Sequence, residues 1–86
     1  MPTISSFYGI LIMMFWKDHN PPHFHVKYGE YEALIGINDF SVIQGWLPPK
    51  AMALVAEWAS IHHNELVENW DRGIKDLSFN KIEPLK

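Results

Sequence analysis

The chain has no cysteine, so no disulfide can staple it and no thiolate can hold a metal. That absence fits a reducing cytosol. It also has no basic cluster: Lys17, Lys27, Lys50, Arg72, Lys75, Lys81 and Lys86 are scattered, and the formal net charge is −3. Nucleic-acid binding depends on grouped Lys and Arg that displace counterions from phosphates, so no nucleic-acid partner is expected. Long hydrophobic runs are missing as well. The apolar stretch Tyr8 to Trp16 spans nine residues, well short of the ~20 that a membrane helix needs. No basic n-region precedes it, so neither a membrane span nor a secretory signal is expected. The five glycines form no phosphate-cradling loop, and the serines sit in no nucleophile elbow.

What the chain does have is aromatic mass: four Trp, five Phe and three Tyr in 86 residues. A chain of this length has room for one core, so residues 1–86 are read as a single domain. Those rings supply the buried bulk that a small domain otherwise lacks.

Periodicity predicts an α+β fold: an antiparallel sheet of three to four strands followed by one long amphipathic helix. Ile4 to Trp16 reads as one or two extended segments hinged at Gly9. Ile10, Ile12, Met14 and Trp16 fall on one face, and Leu11, Met13 and Phe15 on the other. Both sets are apolar, as in a strand covered on both sides. Asp18 to Pro22 is a loop, because Asn20-Pro21-Pro22 cannot continue a ladder. His23 to Tyr28 and Tyr31 to Ile37 form a hairpin about Gly29-Glu30, and Ser41 to Trp46 is a short further strand. Pro48-Pro49 opens the helix, which runs to about Arg72 with Gly73 at its C-terminus. Its inner stripe is Ala51, Leu54, Val55, Trp58, Ile61, Leu66 and Trp70. The tail through Phe79 and Ile82 either adds a short C-terminal strand or packs down.

One helix covers only one face of such a sheet. The second apolar set, Leu11, Met13 and Phe15, is therefore a candidate interface, covered by the tail, by another copy in a homo-oligomer, or by a protein partner.

The stretch richest in chemistry is Asp18-His19-Asn20-Pro21-Pro22-His23-Phe24-His25. On an extended strand His23 and His25 share a face with Cα atoms about 6.5–7 Å apart. Two imidazoles so placed can meet on one divalent cation such as zinc. His19 could supply a third nitrogen and Asp18 a carboxylate, the donor pattern of an open zinc site. His19, His23 and His25 are thus the candidate metal ligands. The competing reading is that these imidazoles hydrogen-bond neighbouring groups and serve structure or an interface. His62 and His63 diverge by about 100° on a helix and cannot easily share a metal, so His62 is read as core-edge or interface and His63 as solvated. Glu30 and Glu32 read as exposed hairpin charges.

Several blocks together resemble a known family. They are the opening Met-Pro-Thr-Ile-Ser-Ser-Phe-Tyr-Gly-Ile, Asp18 to Val26, Tyr28-Gly29-Glu30-Tyr31 and Leu66-Val67-Glu68-Asn69-Trp70. The chain resembles, over nearly its whole length, the small prokaryotic proteins grouped as domain of unknown function 4160. The resemblance implies a cytoplasmic, prokaryotic protein encoded beside a second small protein, in a pair that is toxin–antitoxin-like. Met13 stands where a polar or basic residue is expected in that family, which makes the second sheet face of this chain unusually apolar.

Three functions are weighed on these grounds. The first is a protein-interaction module of the two-gene pair. The second is a divalent-metal-binding protein or metal-dependent hydrolase that uses the histidine cluster. The third, a metal-free ribonuclease toxin, fits poorly with an acidic chain whose cations are dispersed.

Overall fold

A computed structural model describes residues 2–86. Five strands, β1 (Thr3–Phe7), β2 (Ile10–Met13), β3 (His23–Tyr28), β4 (Tyr31–Gly36) and β5 (Val42–Gly45), form one antiparallel sheet in sequence order. Two helices follow, α1 (Pro49–Ile61) and α2 (His63–Ile74). The α+β class is as expected, whereas the count differs: five strands in place of three to four, and two helices in place of one.

Turn chemistry sets the strand count. Tyr8 and Gly9 both take positive φ, 49° and 79°. That is the pattern of a two-residue type I′ hairpin, whose twist matches that of the flanking strands. The apolar run is therefore folded back on β1 at Gly9, and β2 ends at Met13. Trp16 lies beyond the sheet, half-exposed, stacked on Phe79 at 5.0 Å and donating its indole N–H to the Leu77 carbonyl. The second hairpin turns at Gly29, φ 59°, followed by Glu30. Glycine is obligatory at the end of β5: Gly45 has φ 85°, and a Cβ there would stand 2.1 Å from the Glu32 carbonyl oxygen.

Alternation sorts the sheet into two faces. Phe7, Ile10, Ile12, Phe24, Val26, Ala33 and Ile35 share one buried cluster with Ala51, Val55, Trp58 and Ala59 of α1. Trp58 is the keystone, fully buried between Phe7 at 5.5 Å and Phe24 at 6.0 Å. Its indole N–H donates to the Glu83 carbonyl, which draws the tail onto α1. The tail forms no strand. It runs along the β1 edge, where the Ile82 N–H donates to the Ile4 carbonyl.

The helix breaks at His62, which takes φ −108° and ψ 26° between the two segments. Buried positions nevertheless keep one continuous spacing through Ala51, Val55, Trp58, Leu66, Asn69, Trp70 and Gly73. A break of one residue thus leaves no trace in the periodicity. Ile61, expected in the inner stripe, is exposed. Among the described residues, no helix is long and apolar enough to cross a membrane.

Candidate functional site

The loop from Phe15 to Pro22 brings two histidines of β3 against one carboxylate. Asp18 Oδ2 lies 3.1 Å from His23 Nε2 and 3.0 Å from His25 Nε2. The three donor atoms lie within 4.8 Å of one another. Strand alternation puts both rings on the side of the sheet away from Phe24 and Val26. The loop then returns Asp18 over them; its Asn20–Pro21 peptide is cis.

Each ring is held from its far side. His23 Nδ1–H donates to the Pro21 carbonyl at 2.8 Å, so this nitrogen carries a proton and its Nε2 is the one turned toward Asp18. The His23 ring packs on Trp70 of α2 at 5.4 Å, which buries it at the end of the sheet. His25 takes the edge of Phe15 at 4.5 Å. Asp18 is steadied by its other oxygen, Oδ1, which accepts the His19 backbone N–H at 2.9 Å. Burial works to raise the Asp18 carboxyl. The hydrogen bond to His25, the one from His19 and the proximity of both imidazoles outweigh it and hold the group below the ordinary carboxylate value.

The structure therefore gathers His23, His25 and Asp18, and it leaves the His19 ring outside the group. His19 is exposed and contributes through its backbone. Two imidazole nitrogens and a carboxylate oxygen are donors that first-row divalent cations accept. The roles of Trp70 and the Pro21 carbonyl had no signal in the sequence, since both depend on how α2 and the loop are placed. His63, expected to be solvated, is half-buried with its ring edge-on to Phe40 at 6.2 Å. His62 instead meets Glu65 Oε1 at 2.6 Å. Glu30 is exposed at its turn, and Glu32 faces Lys27 at 3.9 Å.

The candidate interface residues lie beside this cluster. Leu11 pairs with Lys27 and Met13 with His25 on β3, and Leu34 of β4 pairs with His25 from the other side. All of these are on the face opposite the core. Met13 is buried yet stands apart from the core cluster, Phe15 and Leu34 are half-buried, and Leu11 is 38% exposed. A shallow cleft over this face is lined by Met13, Phe15, His25, Lys27, Glu32 and Leu34, with the backbone of β3 and β4 as its floor. No helix residue lines it, and the tail, a candidate cover, runs along β1 instead. Register finds Leu34 where the apolar run of β2 alone did not.

No curated protein and no solved structure matches the chain. Residues 9–71, which take in β2 to β5, the histidine cluster, α1 and most of α2, match the model of the family described as Domain of unknown function (DUF4160), and the chain belongs to that family.

Proposed function

We propose that this member of the DUF4160 family is a protein-interaction module of a two-gene, toxin–antitoxin-like pair, and that the co-encoded small protein seats on the uncovered sheet face. The observation that carries the reading is the cleft over Met13, Phe15 and Leu34, lined by strand and loop residues without a covering helix. Its centre is apolar and its margin is charged through Lys27 and Glu32, the layout of a contact that forms and dissociates. A second copy of the chain is the competing occupant of the same face. Val42, Ile43 and Trp46 leave exposed apolar side chains along the β5 edge, and edge strands of this kind offer unpaired backbone groups to an incoming chain.

The test is co-expression with the neighbouring gene product, followed by size-exclusion chromatography with light scattering. The chain alone is expected to run as a monomer and the pair as a stable complex. Leu11→Asp is expected to abolish the complex without unfolding the monomer, because Leu11 is partly exposed and lies outside the core. A stable homodimer would replace the partner reading with self-association. A monomer that fails to capture the neighbouring product would end both.

A further inference from the structure

His25 borders the cleft of the docking reading, whereas Asp18 and His23 lie outside it, and the geometry of the three groups is specific. In a tetrahedral site with metal–ligand bonds of about 2.0–2.1 Å, neighbouring donor atoms stand roughly 3.3 Å apart. Asp18 Oδ2 lies 3.1 Å and 3.0 Å from the two imidazole nitrogens, close to that spacing without rearrangement of the backbone. The tautomer is also set. His23 Nδ1–H is committed to the Pro21 carbonyl, so a neutral His23 presents a bare Nε2 lone pair to the carboxylate oxygen. Positive charge between these two atoms 3.1 Å apart, a ring proton or a metal ion, relieves their repulsion. All three donor atoms lie within 4.8 Å of one another, so small side-chain rotations let a single cation reach Asp18 Oδ2, His23 Nε2 and His25 Nε2 together.

The surroundings match those of a metal ligand set. A ligating histidine ordinarily donates its second ring N–H to a carbonyl or carboxylate, as His23 does to Pro21. Trp70 and Phe15 fix the two rings from apolar sides. The cluster is nonetheless reachable: the side chain of His23 is 6% exposed, but those of His25 and Asp18 are 25% and 20% exposed. A cation can enter from the side of His25 and would keep water in its remaining position.

We infer that Asp18, His23 and His25 form a binding site for a first-row divalent cation, with two nitrogen ligands, one oxygen ligand and an open coordination position. His19 is not a ligand. Its backbone N–H orients Asp18, and that bond survives loss of its side chain.

The probes are Zn²⁺ by isothermal titration calorimetry and Co²⁺ by its visible absorption, on the full chain after chelator treatment. The expected result is one equivalent bound, with a cobalt spectrum of low coordination number. His25→Ala and Asp18→Ala are each expected to weaken binding at least about 100-fold, beyond what loss of an outer-shell partner costs. His19→Ala is expected to bind within about twofold of the parent. Far-UV circular dichroism of each variant separates loss of the site from loss of the fold. His25→Ala is the safer variant, because His25 is partly exposed and outside the core cluster. No saturable binding by the parent would overturn the site and leave the three groups a hydrogen-bonded cluster. Undiminished binding by folded His25→Ala would overturn it equally. Loss of binding in His19→Ala would overturn the ligand set by making His19 a member.

Discussion

The two faces of the sheet come from the same strands, and β2 is apolar on both, yet only one face is closed. On the closed face Ile10, Ile12, Phe24, Val26 and Ile35 are at most 1% exposed beneath Trp58 and Val55 of α1. On the other, Met13 and Leu34 alternate with His25, Lys27 and Glu32, and Leu11 is left partly in water. An apolar strand face is thus no proof of burial within its own chain. β2 is apolar twice because one set of side chains builds the core, and the second, in the reading proposed above, meets a partner.

The largest effect that would sharpen this contrast is expected on the closed face. Trp58→Ala is predicted to lower stability in urea melts by about 3–5 kcal/mol, the usual cost of emptying a buried aromatic site. In a domain this small that approaches the whole margin. Leu11→Ala on the open face is predicted to change it by less than about 0.5 kcal/mol. Comparable losses at both positions would mean that the second face belongs to the core, and the contrast would fail.

Next in size is the seam between α2 and the tail. Asn69 is fully buried; its amide donates to the Asn80 carbonyl and its oxygen accepts the Asn80 N–H, both at 2.9 Å. Asn69→Ala strands both backbone groups, at a cost of about 1–3 kcal/mol. Urea melts would show the loss, and faster amide exchange at Asn80 and Ile82 would show that the tail has come away from β1. Unchanged exchange would assign the anchoring of the tail to its other contacts, Trp58 with Glu83 and Ile82 with Ile4.

The smallest effect is expected at Ser5. It sits on the closed face opposite Ile12, and its buried hydroxyl has no hydrogen-bond partner. Ser5→Ala removes an unsatisfied polar group, so it is predicted to leave stability unchanged or raise it by up to about 1 kcal/mol. A clear destabilisation would show that the hydroxyl has an unrecognised partner.

Much of this arrangement was legible in the residues. Gly9, Gly29-Glu30 and Asn20-Pro21-Pro22 marked the turns, and Pro48-Pro49 marked the helix start, because each restricts the backbone locally. Alternation placed His23 and His25 on one side. What could not be read depends on the path of the chain through space. The break at His62 is silent in a spacing that continues across it. Which of two apolar sets on β2 lies under α1 is undetermined when both are apolar. The choice of Asp18 over the His19 ring follows from the return of the loop, and the tail is pinned by Asn69, a polar residue that a hydrophobic pattern overlooks.

The central claim, that the face carrying Leu11, Met13 and Leu34 is the docking face, is tested most directly by methyl NMR. The chain would carry labelled Ile, Leu, Val and Met methyls and be titrated with the co-encoded protein. The account predicts shifts or broadening at Leu11, Met13 and Leu34, with Ile12, Val26 and Ile35 on the opposite side of the same strands unmoved. Perturbation confined to other surfaces, with Leu11, Met13 and Leu34 silent in a formed complex, would contradict it.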